Sequence, residues 1–163
     1  MALSNSTDFE PNVTEFVEEA YERCGLELRT GYDLKTAKRS INLMLAEWAN
    51  RGLNQWTIEQ TTQTVTQSTA SYTLNSNVID ILDMVLRRTV NSTVTDTSMN
   101  RVSRSEYTNI PTKSTEGRPS QFFFDKLTSP VIKVWPTPEN STDILVFNKL
   151  VRMDDADTAI NTM

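Results

Sequence analysis

Apolar positions recur along this chain with two different periods, and the change between them divides it. Val13, Phe16, Val17, Ala20, Tyr21 and Cys24 fall at the i, i+3, i+4, i+7 spacing, which puts them on one face of a helix. Asn12 followed by Glu15 has the form of a capping box and starts that helix at Val13. Gly25 stops it, because glycine accepts the left-handed conformation of a helix end. A second helix is expected after Asp33, with Leu34, Ala37, Ile41, Met44, Leu45 and Trp48 as its apolar stripe and Lys35, Lys38, Arg39, Asn42 and Glu47 on its wet face. Arg51 in the last turn and Gly52 just beyond it form its stop. The two stripes are expected to meet across a loop through Arg29, Thr30 and Gly31, with Cys24 as a small core residue.

From Trp56 the period shortens towards two. Thr57 to Gln67 is nearly all Thr and Gln, with only Ile58 and Val65 apolar, which suits an exposed or partner-covered strand. Ser71 to Leu74 reads as a short strand and Asn75, Ser76 and Asn77 as a turn. Val78 to Arg88 fits neither period cleanly, and we read it as a turn followed by a strand from about Leu82. Asn91 to Asp96 is polar, a loop or hairpin tip. Ser103 with Glu106 repeats the capping-box spacing and predicts a short helix ended by Pro111. Gln121 to Leu127, Val131 to Pro136 and Ile144 to Val151 are strands separated by turn-forming Thr128-Ser129-Pro130 and Pro136-Thr137-Pro138-Glu139-Asn140, and read as an antiparallel meander. The expected fold is α+β: an N-terminal antiparallel helix pair, then a β meander with one short inserted helix. The expected organisation is an arm and helical docking part at 1–56, a β-rich part at 57–151 and an acidic tail at 152–163.

Composition narrows what such a fold can do. The 163 residues are enough to bury a core without staples, yet only 37% are apolar, so neighbouring subunits are expected to add stability. A net charge of −5 makes unspecific nucleic-acid binding a poor expectation. One cysteine allows no internal disulfide and no cysteine metal cluster. Histidine is absent, which removes Ser-His-Asp and Cys-His catalysis and the usual general base near neutral pH. The start, MALSNSTDFEPN, lacks a basic and apolar leader, so no signal peptide is expected, and no apolar run of about 18 residues predicts a membrane span.

Carboxylates are the only plentiful acid–base groups. Glu18 and Glu19 lie on a wet helix face, Asp80 and Asp83 interrupt an apolar run, and Asp154, Asp155 and Asp157 lack the glycine and terminal glutamate of an EF-hand loop. A glycosidase needs two carboxylates across a cleft, one with a raised pKa, and none of these pairs is placed for it by sequence. The four glycines, Gly25, Gly31, Gly52 and Gly117, form no phosphate-binding loop. No catalytic residue, cofactor or metal site is therefore expected. The run Phe122-Phe123-Phe124 is the strongest apolar feature outside the helices. Either its middle member is half exposed, or its outer face packs on a neighbour.

The order of these elements resembles a known family. LMLAEWANRGLNQW closing the helices, SYTLNSNVIDILDMVLRR, MNRVSRSEYTNIP, GRPSQFFF and IKVWPTPENSTDILVFNKLVRM are similar to the head-to-tail adaptor of podoviruses, also called tail tubular protein A. The most specific pieces are Trp48 with Gly52 and Trp56, Tyr72 with Thr73 and Leu74, Gly117-Arg118-Pro119, and Trp135-Pro136-Thr137-Pro138, all turn or packing signatures. The resemblance implies a structural, non-enzymatic virion protein, twelve copies of which form a ring between the portal protein and the tail nozzle or tube. DNA would pass only as non-specific cargo, and no membrane is involved. It also implies further C-terminal helices beyond the acidic tail. Two competing readings are a phage wall-degrading enzyme with a carboxylate pair and a monomeric β-rich module holding carbohydrate on Trp and Tyr faces. The Thr/Gln tract and the 91–100 loop are the expected protein contacts, with Thr57, Thr64, Thr66, Thr95 and Phe123 as candidate interface residues, because a strand with so few apolar groups is stable when its backbone pairs with a neighbour.

Overall fold

Asn12 does cap the first helix. Its side chain accepts from the Glu15 N–H at 2.9 Å, while the Glu15 carboxylate accepts from the Asn12 N–H at 3.0 Å, so two otherwise orphaned donors are satisfied together. The computed structural model describes residues 12–27, 31–53 and 57–153, in which helix α1 is Val13–Arg23 and helix α2 is Gly31–Asn50. Both helices end alike. Gly25 and Gly52 take φ of +72° and +78°. Leu26 N–H then donates to the Tyr21 carbonyl and Leu53 N–H to the Trp48 carbonyl, the paired bonds of a Schellman stop.

α1 and α2 are in contact, but their apolar stripes are thinly covered. Val17 is buried, whereas Leu34, Ala37, Ile41 and Leu45 are only half-buried and Phe16, Leu43, Met44 and Trp48 are exposed. Cys24 is exposed rather than a core residue, and it is the C-cap of α1, outside the helix's last full turn.

The rest of the described chain is strand β1 (Ile58–Thr64), β2 (Ser71–Thr73), β3 (Val78–Val90), β4 (Thr93–Ser98), β5 (Asn100–Arg101), helix α3 (Arg104–Thr108), β6 (Glu116–Gly117), β7 (Gln121–Asp125), β8 (Val131–Trp135), β9 (Thr137–Pro138) and β10 (Ile144–Val151). The class is α+β, two N-terminal helices followed by mostly antiparallel strands and a short helix. The chain divides into a helical unit reaching to Leu53 and a strand unit, Asn54–Arg152.

Two four-stranded sheets make the strand unit, in the orders β1-β10-β3-β4 and β2-β8-β7-β5, with a two-stranded β6-β9 ribbon beside them. Ile81, Met84, Leu86, Leu145 and Phe147 from the first sheet and Tyr72, Phe122, Phe124, Ile132 and Val134 from the second share one core. Each such large side chain contributes about 1.5–3 kcal/mol relative to exposure. The three strands expected as a meander, β7, β8 and β10, are divided between the sheets. β7 and β8 form a hairpin in the second, while β10 crosses to lie between β1 and β3. Leu145, Val146 and Phe147 are buried in succession, the signature of a central strand covered on both faces rather than of a sheet edge.

One sequence expectation changes here. β3 begins at Val78, not near Leu82. Its register against β10 slips twice: Asn148 opposes Asp83 and Lys149 opposes Ile81, then Leu150 opposes Asp80 and Val151 opposes Val78. Leu82 and Ile79 are thus the extra residues of two β-bulges. They face out while Val78, Ile81, Met84 and Leu86 face in, which is why the run fits neither period. Of the two forms expected for the polar stretch from Asn91, a loop or a hairpin tip, it takes the hairpin. Asn91 and Ser92 take φ of +48° and +64°, a two-residue turn of the kind that matches strand twist, and β4 then pairs back along β3.

Candidate assembly surfaces

Tyr72, Gly117, Pro119, Trp135 and Pro136 build corners of the strand unit. The Tyr72 hydroxyl accepts from the Thr66 N–H at 3.1 Å and donates to the Thr69 carbonyl at 2.8 Å, pinning the segment between β1 and β2. Burial pushes this phenol's pKa up, partly offset by the Thr66 N–H. Gly117 pairs with Pro138, and a Cβ there would lie 3.4 Å from the Pro136 ring. Arg118 reaches β4, donating to Thr97 Oγ1 at 3.1 Å, and Pro119 is buried. Trp135 Nε1 donates to the Thr112 carbonyl at 3.2 Å. In the helical unit Trp48 and Gly52 supply the helix stop described above. Trp56 lies outside the described residues.

The expected interface residues do not share one surface. Thr64 and Thr66 are exposed at the end of β1 and Thr95 on β4. Thr57 is only 4% exposed, since its carbonyl accepts from Val151 N–H at 2.7 Å and holds it against β10. Phe123 is 8% exposed, neither half exposed nor open to a neighbour. The cover comes from its own chain: Tyr107 of α3 stacks on it at 5.6 Å and 26°, and Arg104 and Lys133 lie over its ring at 5.7 and 5.8 Å.

This covering arrangement was not visible in the sequence. The capping box of α3, with Ser103 N–H donating to Glu106, sets Arg104 and Tyr107 one turn apart on the face towards β7. Asp125, buried at the end of β7, accepts from Arg104 at 2.6 Å and Lys133 at 3.0 Å. With Ser71, Thr108 and Lys113 these groups line an open cleft of about 380 Å³, three cations against one carboxylate. The only signal was the hairpin register that sets Lys133 opposite Phe123.

Asp80 and Asp83, the carboxylates interrupting β3, are separately engaged. Asp80 accepts from Arg101 at 2.7 Å and Lys126 at 3.0 Å. Burial works to raise its pKa, but those hydrogen bonds, with one from Ile81 N–H, outweigh it and hold the carboxyl below its ordinary value. That is opposite to what a general acid needs. Asp83 accepts from Asn148 at 2.7 Å. Among the described residues no group of His, Cys, Asp and Glu could hold a metal ion, and no helix is long and apolar enough to cross a membrane.

What the surface offers is sheet edge. β1 and β4 are the outer strands of the first sheet, and all of β4 and most of β1 are exposed. A strand at a sheet edge presents unpaired N–H and C=O groups, so these edges, with the open apolar stripes of the helical unit, can make protein–protein contacts. The model of one protein family, described as SU10 adaptor protein, matches residues 12–162. No curated protein matches the chain.

Proposed function

Because this chain belongs to the SU10 adaptor protein family, structural proteins of bacteriophage, we propose that it is the head-to-tail adaptor of a short-tailed phage. In this reading about twelve copies form a ring, docked on the portal protein above and on the tail nozzle or tube below, through which DNA passes unread. The observation that carries the reading is the family match across nearly the whole chain. The resemblance of its residue pattern to podovirus tail tubular proteins is what we take for the finer assignment.

The physical character of the molecule is consistent with that role. Its helical unit has an apolar stripe that its own described residues half cover, as suits a part completed by neighbours. Its strand unit has a core shared by two sheets, and Ile58, Val90 and Val94 lie exposed on its edge strands and the turn end of β3. Thr64, Thr66 and Thr95 are the residues we assign to contacts between proteins, and Trp48, Gly52, Trp56, Tyr72, Gly117, Arg118, Pro119, Trp135 and Pro136 to shaping the turns that hold those contacts in place. An acidic chain (net −5) lining a conduit repels DNA and does not grip it.

Native mass measurement on the chain alone and on the chain mixed with its portal tests the proposal. The expected result is a ring of about twelve copies bound to each portal ring. A chain that stays monomeric and leaves the portal mass unchanged overturns it.

A further inference from the structure

The two outer strands of the first sheet are open in a complementary way. Hydrogen-bonded and non-bonded pairs alternate along an antiparallel ladder. At one end of β1, Val151 N–H donates to the Thr57 carbonyl, and just past the other, Val65 N–H donates to the Asp143 carbonyl. Residues 57, 59, 61, 63 and 65 therefore turn their backbone groups towards β10, and Ile58, Gln60, Thr62 and Thr64 turn theirs outwards. On β4 the two-residue turn and the bond from Met99 N–H to the Met84 carbonyl fix the same alternation. Val94, Asp96 and Ser98 turn outwards. Among the described residues, the Thr64 carbonyl alone of these outward groups accepts a hydrogen bond, from its neighbour Gln63 Nε2 at 3.0 Å.

Neither edge is guarded. Proline, lysine, a bulge or a covering segment commonly blunts an edge strand. β1 and β4 contain neither proline nor lysine, their registers run without a slip, and every outward-turned residue is exposed. Their two charges are neutralised within the chain, Glu59 by Lys149 at 2.9 Å and Asp96 by the two-pronged Arg87 at 2.7 and 2.8 Å. Arg118, which donates to Thr97 Oγ1 at 3.1 Å, is a further cation beside β4.

The strand directions then select the partner. Each neighbouring pair in the order β1-β10-β3-β4 is antiparallel, so with four strands the two edges run in opposite directions. A second copy set beside the first in the same orientation brings its β1 antiparallel to the first copy's β4. We propose that successive copies join in this way, β4 of one pairing with β1 of the next, so that the sheet continues from subunit to subunit. Such a contact is heterologous and propagates until a ring closes. The inference rests on the adaptor reading and names the contact by which its ring is made.

Hydrogen exchange on the chain alone and on the chain assembled on portal-bearing heads tests it. On assembly the amides of Ile58, Gln60, Thr62 and Thr64 and those of Val94, Asp96 and Ser98 should all slow at least about tenfold. Thr62→Pro, which removes an outward donor only, should keep the monomer's melting midpoint and lose assembly. Rings whose outward amides still exchange fast overturn edge pairing and leave the adaptor reading standing. Slowing at one edge alone shows a two-fold contact and also overturns it. Absence of any assembly on heads overturns both readings.

Discussion

Replacing Ile81 and its neighbour Leu82 by Ala, one at a time, should separate two residues that sequence alone treats alike. Ile81 is 0% exposed in the shared core, whereas Leu82, the extra residue of a bulge, is 49% exposed. Truncating a buried Ile loses the transfer energy of its methylenes and leaves a cavity, together about 2–5 kcal/mol. At Leu82 about half of the side chain is already in water and no enclosed cavity forms, so the loss is about 1 kcal/mol. For a unit the size of Asn54–Arg152, 1 kcal/mol moves the midpoint by about 4–8 °C. Ile81→Ala should lower it by more than about 10 °C, and Leu82→Ala by about 5 °C. Far-ultraviolet circular dichroism during heating, with urea titrations at a concentration where the chain is unassembled, reads both. Equal losses, or a larger loss at Leu82, would refute the bulged register of β3.

Three further outcomes follow from the contacts described. Tyr72→Phe removes a hydroxyl serving both Thr66 and Thr69 and should cost about 1–3 kcal/mol in urea titration; no change would show that the corner holds without it. Ile41→Ala and Leu45→Ala, at half-buried positions, should each cost about 1 kcal/mol in the isolated chain, and a loss as large as that at Ile81 would contradict the thin cover of the stripe. Asp80 has a folded pKa below the ordinary 3.8, so its contribution is present above that value and is lost as pH falls through the depressed one. Asp80→Asn should therefore lower stability at neutral pH and flatten the acid limb of a stability–pH curve, and an unchanged limb would rule the carboxylate out.

Local signals carried well from sequence to structure where their chemistry is short-range. Asn12 with Glu15, Ser103 with Glu106, and the glycines at 25 and 52 each act within one helical turn, so reading them needs no knowledge of the fold. The strand assignments survived at 58–64, 121–125 and 131–135, bounded by turn signals, although only 131–135 alternates cleanly. The failures came from tertiary geometry. The two bulges opposite β10 erased the period of β3, and β10 left its sequence neighbours for the other sheet. The covering of Phe123 was hidden for the same reason: Arg104 and Asp125 are 21 residues apart and meet only because α3 lies over β7. Cys24 and the exposed Phe16 show the converse case, in which a regular stripe predicted a core that the described helices only partly supply.

Direct imaging of the junction between head and tail in the intact particle tests the central claim. The account predicts a ring of this chain between portal and tail, with β4 of each subunit beside β1 of the next. A junction that contains no copy of the chain, or a chain found only elsewhere on the particle, would contradict it.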